Sequence, residues 1–212
     1  MPDALHVLRT TRSVRRRLDF ERPVERAVLE ECIEAAVQAP TGLEREAWRF
    51  LVLTDPEPKH AIAQLYRRSF ESLTQQWSEA PPVDWGDATP PHERTTYRGL
   101  AERMHEMPAL VLVCSLGRPD ADDAAMQLGF WASVLPAAWS LMLALRAKGL
   151  GTTWTTLLAR ERVAVAEALG IPQDVTQTVL LPVAYTKDAK LAPAQRKSAS
   201  EVTYWNGWGR AR

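Results

Sequence analysis

The sequence predicts a single domain of the α+β class, spanning 1–212. Three observations support this prediction. The chain has 212 residues, the usual size of one domain. Strand-like and helical segments follow one another without the regular alternation that a parallel βαβ sheet requires. One long segment, 122–148, has a helical pattern and is apolar around its whole circumference, as core and interface helices are.

The first elements are an amphipathic helix and a strand. Apolar residues from Leu29 to Val37 recur at helical spacing, which predicts a helix over 25–38 that Pro40 ends. The β-branched and aromatic run 48–54 predicts a strand.

A helix over about 58–77 is expected next. Residues 80–92 contain four prolines and two aspartates, which favours a loop or lid over a regular element. A polar helix is expected over 93–106. We interpret 78–108 as an insertion that covers the site and selects the substrate.

The second half of the chain begins with a buried strand over 109–115 and the long helix, which Pro136 should kink. A hydroxyl-rich strand over 152–156, a short helix over 160–169 and a strand over 176–185, interrupted by Pro182, should follow. In the tail, 186–212, two tryptophans near the end are expected to pack on the body or on a second subunit.

Charge and cysteine content exclude several classes of protein. Twenty-six basic residues balance 26 acidic ones, which argues against a general nucleic-acid binder or a polybasic membrane-surface protein. The first residues lack the apolar core of a secretory leader, and Cys32 and Cys114 lie in apolar surroundings without a CxxC motif. A cytoplasmic protein with buried thiols is therefore expected. The apolar stretch 130–145 is shorter than the ~20 residues of a membrane span, so we expect no membrane association.

Several catalytic motifs are missing from the sequence. It contains no GxGxxG, no GxxxxGK[ST] and no GxSxG. The four histidines show neither HExxH nor zinc-ligand spacing, so they are interpreted as scattered surface residues and no metal is expected. Nucleophilic and metal-dependent chemistry are both poorly supported.

One local charge imbalance stands out near the start of the chain. The segment 10–15 combines two guanidinium groups, Arg12 and Arg15, with the hydroxyl of Ser13 and those of two threonines. Arginine forks match phosphate oxygens, so the segment can hold a phosphomonoester. The alternative is an ordinary solvated basic face.

Nearly the whole sequence resembles the FMN-dependent nitroreductase family. The resemblance lies in the order and spacing of several pieces: Thr11-Arg-Ser-Val-Arg15, Ala39-Pro-Thr-Gly42 with Trp48, Gly149-Leu-Gly-Thr-Thr-Trp-Thr-Thr156, Leu169-Gly-Ile-Pro172, Leu180-Leu-Pro-Val-Ala-Tyr185, Pro193-Ala-Gln-Arg196 and Trp205-Asn-Gly-Trp208. It implies a nitroreductase-like fold, with a mixed central sheet flanked by helices. It also implies an intertwined homodimer with a long central interface helix, to which the tail would add contacts.

The resemblance assigns the basic residues to FMN. Arg12 and Ser13 would hold phosphate and ribityl oxygens, and Arg196 would be a second phosphate cation, although a lone tail arginine is otherwise interpreted as solvated. Arg15 would reach the N1/O2 edge of the isoalloxazine ring, which gains negative charge on reduction. A fixed guanidinium there raises the reduction potential.

Two further segments are assigned in the same way. Pro40, Thr41 and Gly42 would form a loop along the flavin, although a helix stop followed by a turn explains them too. Trp154, Thr155 and Thr156 would meet the flavin near N5, where a hydroxyl could tune hydride transfer; a plain strand is the alternative. Pro136 would lie beneath the ring from the partner subunit.

One departure from the family pattern concerns the residues after Gly42. Family members commonly carry Asn followed two positions later by Gln, whereas this chain has Glu44 and Glu46. A carboxylate only accepts hydrogen bonds unless it is protonated. These acids can simply pair with arginines. Alternatively, Glu44 faces the flavin or substrate with a raised pKa and transfers protons, which makes it a candidate catalytic residue. The other candidate is Thr156, which would meet the flavin near N5.

The resulting hypothesis is a homodimeric FMN-dependent NAD(P)H oxidoreductase. It would reduce nitroaromatics, quinones or related electron-poor conjugated acceptors by ping-pong hydride transfer. The substrate-binding site would be lined by Trp85, Tyr97 and Arg98. One alternative is a specialised family member, a dehydrogenase or dehalogenase of a biosynthetic or catabolic substrate. The other is a protein that binds or stores FMN without turnover.

Overall fold

The computed structural model describes residues 3–42, 46–79 and 91–210. Its helices are α1 (Ala4–Thr10), α2 (Arg26–Ala36), α3 (Pro56–Glu79), α4 (Pro91–Arg103), α5 (Ala124–Ala147) and α6 (Arg162–Leu169). Its strands are β1 (Leu18–Asp19), β2 (Trp48–Leu53), β3 (Ala109–Leu116), β4 (Leu150–Thr152) and β5 (Val175–Thr186). Short 3₁₀ helices cover Met104–Glu106, Leu157–Glu161 and Ala199–Glu201.

The sheet has the order β1-β5-β3-β2, and β4 pairs with β5. All four ladders between the described strands are antiparallel. Parallel pairing is limited to two isolated bridges, Ser13 with Thr152 and Gly117 with Val175. The α+β class and the flanking helices are confirmed, while the parallel part of the expected mixed sheet is confined to these bridges. Strand direction depends on how long connections return, which residue patterns along one strand do not encode.

The core lies on both faces of the sheet because side chains alternate along each strand. In β3, Val111 and Val113 point to the face that α2 and α5 cover, and Leu110 and Leu112 point to the face of α3 and α4. Cys32 and Cys114 are buried in these two separate clusters. Burial raises the pKa of Cys32 to about 11 and that of Cys114 to about 12, which disfavours the reactive thiolate form of both at neutral pH.

Helix α5 starts at a true cap, since the carboxylate of Asp123 accepts the backbone N–H groups of Ala125 and Met126. Its second half packs into the core through Val134, Ala138 and other apolar residues. By length and composition alone, α5 would also suit a membrane span. Pro136 lies inside the helix without ending it.

The predicted strand over 152–156 is wrong in its bounds, because the ladder of β4 ends at Thr152. The register continues as far as an isolated bridge between Thr155 and Leu180. Backbone N–H groups alternate between the two edges of a strand, so the nitrogen of Pro182, like that of Leu180, faces the edge of β5 that pairs with β4. Pro182 lies opposite Thr153 there. Proline has no N–H to donate, so the ladder is broken there. The predicted interruption of β5 at Pro182 is wrong, because the missing donor affects only the edge that faces β4. Along β3 the strand continues past Pro182, and its register shifts only between Val113 and Cys114.

Candidate functional site

The two segments that carry most of the predicted site residues are joined side by side. The backbone N–H of Val14 donates to the carbonyl of Thr152 over 2.8 Å. The hydroxyl of Thr153 donates back to the carbonyl of Val14 over 2.9 Å. The side chains on either side of Val14, Ser13 and Arg15, are therefore held next to 153–156, which is far away in sequence.

The first of two cavities beside this junction has a volume of about 780 Å³. Arg12, Ser13 and Arg196 line it together, so the structure brings the three predicted phosphate-binding residues to one place. The remaining wall is apolar and includes Trp131, Leu135, Pro136 and Trp139 of α5, with Trp154 opposite. Pro136 thus lines the cavity of its own chain, whereas the resemblance places it beneath the flavin of the partner.

The two arginines of this cavity keep most of their donors available. Arg12 donates to the backbone carbonyls of Thr11 (2.8 Å) and Arg9 (3.2 Å), and Arg196 donates to that of Gln195 over 3.4 Å. Neither forms an ion pair with an acid in the part of the chain that the structure describes. Two uncompensated guanidinium groups beside one hydroxyl suit a phosphate dianion.

The second cavity, of about 280 Å³, is an aromatic pocket that shares Trp154 with the first. Tyr66 and Phe70 of α3 and Tyr97 of α4 line it, together with Arg15 and residues 153–157. The guanidinium carbon of Arg15 lies 4.1 Å from the centre of the Tyr97 ring. This stacking positions the guanidinium without using its in-plane donors.

Arg15 has an unsatisfied donor at this place. Its Nε is buried and has no hydrogen-bond partner in the structure. A buried donor without an acceptor costs about 1–3 kcal/mol, so its position indicates a ligand acceptor.

The threonines of the pocket differ in their environment. The hydroxyls of Thr155 and Tyr66 are hydrogen-bonded over 3.3 Å, and burial raises the pKa of Tyr66. Thr155 also pairs with Leu180 through its backbone, so it is held on the sheet. Thr156 is exposed and lines the pocket. Of these two hydroxyls, that of Thr156 is placed to meet a ligand.

Not every predicted site residue joins these cavities. Pro40, Thr41 and Gly42 line neither cavity of their own chain. Gly42 instead lies near α5, where an added Cβ would be 4.0 Å from the carbonyl oxygen of Gly129. Tyr97, a predicted substrate-site residue, lines the aromatic pocket, whereas Arg98 is exposed and lines neither cavity. Glu44 and Trp85 lie outside the described residues.

Sequence reasoning missed Tyr66 and Phe70. Both belong to the apolar stripe of α3, where spacing marks them only as core residues. Within the described ranges, no group of three or more histidine, cysteine, aspartate or glutamate side chains could hold a metal ion.

The chain is similar to known proteins over most of its length. The sequence profile described as Nitroreductase family matches residues 8–185. The iodotyrosine deiodinase of Thermotoga neapolitana is 30% identical over 191 residues, which cover 88% of this chain and 90% of that protein. The iodotyrosine deiodinase of Drosophila melanogaster is 29% identical over 200 residues, 92% of this chain and 67% of the relative.

The fold also matches a solved structure. The crystal structure of oxidised iodotyrosine deiodinase bound to FMN and 3-iodo-L-tyrosine has a TM-score of 0.72 and 24% identity, and the match covers 96% of this chain and 100% of that one. At this identity the likeness concerns the fold.

Proposed function

Since this chain belongs to the nitroreductase family, we propose that it is an FMN-dependent oxidoreductase that reduces a small electron-poor aromatic or quinone acceptor with NAD(P)H. The observation that carries the proposal is the meeting of Arg12, Ser13 and Arg196 at one cavity, directly beside the aromatic pocket of Arg15. When bound, FMN would supply two-electron transfer from the nicotinamide to the acceptor.

The residues of the first cavity fit FMN. Arg12 and Arg196 would bind the phosphate, with Ser13 donating to phosphate or ribityl oxygens. Arg15, held by Tyr97, would present its buried donors to the N1/O2 edge of the ring system and stabilise the negative charge that forms there. Trp154 lies between the flavin cavity and the pocket in which the acceptor would bind.

The aromatic pocket favours a flat acceptor of limited size. Tyr66, Phe70 and Tyr97 offer ring surfaces, and stacking on such surfaces requires a planar ligand. A cavity of about 280 Å³ accommodates one or two rings.

The direct test is spectroscopic. The purified protein is expected to be yellow, to bleach anaerobically with NADH or NADPH, and to regain its absorbance when a nitroaromatic or a quinone is added. A preparation that cannot be reconstituted with FMN would contradict all flavin-based proposals. A yellow protein that neither nucleotide bleaches would instead support FMN binding without turnover.

A second candidate activity is reductive dehalogenation of an aryl halide. It is favoured by the deiodinase relatives, one of which matches this chain over 88% of its length. The balanced reaction is Ar–I + NADPH → Ar–H + I⁻ + NADP⁺. Release of iodide from 3-iodotyrosine by the reduced protein, measured against reduction of a nitroaromatic of the same size, distinguishes the two activities.

We further propose that the protein is a homodimer. Several large apolar side chains are exposed on one chain, among them Met126 and Leu128 of α5 and Trp205 and Trp208 of the tail, and Trp208 is 91% exposed. Surfaces of this kind are typical of interfaces. The loop Pro40–Gly42, which reaches neither cavity of its own chain, would then border the flavin of the partner.

Light scattering after size-exclusion chromatography is expected to give a molar mass that is twice the mass of one chain. The double variant Met126→Glu with Trp208→Glu places a carboxylate at two exposed sites. It should shift the protein toward monomer, because burying a carboxylate in the dimer interface is costly. Val163→Glu is the matched control for the exchange at Met126, since the exposed fractions are 60% for Val163 on α6 and 62% for Met126. A monomeric wild-type protein that retains FMN would overturn the dimer proposal.

A further inference from the structure

A basic groove of about 430 Å³ shares Arg15 with the aromatic pocket. Its lining includes four cations, Arg15, Arg16, Arg17 and Lys190. Among the residues that the structure describes, no acid lines it. Four cations without an acid around one concavity raise the local concentration of anions, even though the net charge of the chain is zero.

The two walls of the groove are fastened to each other. Arg17 has φ +55° and Asp188 has φ +49°, both in the left-handed region that non-glycine residues rarely adopt. The N–H of Lys187 donates to the carbonyl of Arg17 over 2.7 Å, and Arg17 Nη1 donates to the carbonyl of Asp188 over 2.8 Å. Residues in this conformation are strained and persist only where surrounding contacts hold them, which is typical of functional sites.

The acid Asp188 directly precedes the lining residue Ala189 but does not itself line the groove. Two further acids lie beside Lys187. Asp19 and Glu21 approach the ammonium of Lys187, at 3.1 and 4.0 Å respectively. Asp19 also accepts the backbone N–H groups of Glu21 and Arg22. Neither acid lines the groove, and Lys187 does not line it either. Arg16 and Lys190 form no ion pair with any described residue, so their charges are available to a ligand.

The groove and the aromatic pocket form one surface. Arg15 borders both, and consecutive residues of α4 line them, Thr96 the groove and Tyr97 the pocket. A molecule with a flat ring in the pocket can therefore extend an anionic tail across Arg15 into the groove.

We propose that the basic groove binds the phosphate groups of the reduced nicotinamide nucleotide that donates the electrons, and that it selects NADPH over NADH. The proposal rests on the proposed function, because it assumes that the donor's nicotinamide enters the aromatic pocket. Both nucleotides carry a pyrophosphate, but only NADPH adds a 2′-phosphate monoester. Arginine and lysine side chains in a groove without acids are suited to that additional dianion.

The first test uses the FMN-loaded protein and the anaerobic rate of flavin bleaching at increasing nucleotide concentration. The wild-type protein is expected to bind NADPH at least tenfold more tightly than NADH. In the double variant Arg16→Glu with Lys190→Glu, this ratio should fall below about two, since like charges repel the 2′-phosphate. Both residues are exposed, and neither side chain forms a hydrogen bond or an ion pair within the described part of the chain, so the exchange removes no structural contact there.

The matched control is Arg160→Glu, also a charge reversal at an exposed arginine, but outside the groove and both cavities. It should leave the nucleotide ratio unchanged. Equal affinity for the two nucleotides in the wild-type protein, or a ratio that survives the double reversal, would overturn the proposal.

A second measurement does not depend on flavin reduction. Calorimetric titration of the holoprotein with adenosine 2′,5′-bisphosphate is expected to show binding at least tenfold tighter than with adenosine 5′-monophosphate, and the double variant should lose the difference. If neither nucleotide bleaches the flavin but this difference is present, the proposed function fails while the groove assignment stands. If bleaching occurs and the two adenosine probes bind equally, the groove assignment fails alone.

Discussion

Arg12→Ala is expected to raise the dissociation constant for FMN by about 10- to 150-fold, the equivalent of ~1.5–3 kcal/mol for a charge-assisted hydrogen bond. The half-buried guanidinium of Arg12 lines the cavity and has only backbone carbonyls as partners. Arg196 is exposed, so solvent screening places Arg196→Ala near the lower end, at about tenfold. Fluorescence titration of the apoprotein with FMN measures both effects.

Lys197→Ala is the matched control for these variants. Lys197 is adjacent to Arg196, is exposed and does not line the cavity, so removing it changes the net charge equally. Its FMN affinity should remain close to that of the wild-type protein. Unchanged affinity in both Arg12→Ala and Arg196→Ala would refute the assignment of the phosphate site. Loss of affinity in Lys197→Ala as well would indicate a general charge effect.

Gly151→Ala should disturb both the fold and the flavin site. A Cβ at Gly151 would lie 2.8 Å from Thr186 Cγ2, 3.0 Å from Leu18 Cδ2 and 3.1 Å from Val14 Cβ. Such overpacking typically costs about 1–3 kcal/mol. For a chain of this length that corresponds to a decrease in Tm of roughly 2–12 °C. Because Val14 is hydrogen-bonded to Thr152, the displaced segment also carries Ser13 and Arg15 away from the cavities, so flavin content should fall.

Gly99→Ala tests whether that effect is local. Gly99 lies in α4, and a Cβ there would meet nothing within 4 Å. The same exchange should therefore raise the stability by about 0.5–1 kcal/mol, since alanine is the better helix former. Thermal unfolding of the apoproteins separates the two variants. A Gly151→Ala protein with the Tm and FMN content of the wild type would show that the junction between 11–15 and 150–153 is not tightly packed.

The sequence was most informative where periodicity is strong. The predicted helix over 25–38 is α2, and the predicted strand over 48–54 is β2, with bounds that differ by one or two residues. The apolar run 122–148 predicted α5 in the same way. These elements follow from the pattern of apolar residues alone, because burial of one face selects the helix or strand period.

Sequence reasoning was least informative where the structure of one segment depends on its contacts with another segment. The bounds of β4 depend on Pro182, which lies opposite Thr153 and withholds an N–H from the ladder. Tyr66 enters the pocket because α3 packs over the edge that carries Thr155. No periodicity within either segment indicates these contacts.

By itself the sequence determined the α+β class, the family resemblance and the residue types available for a phosphate and a flavin edge. Those properties depend on local pattern and on the order of short motifs. Only the tertiary structure decided that Arg12, Ser13 and Arg196 meet in one cavity, that Tyr97 stacks on Arg15, and that Pro40–Gly42 lines neither cavity of its own chain. The physical reason is that these contacts join residues far apart in the chain, and such contacts form only when the packing of the sheet and its helices brings the segments together.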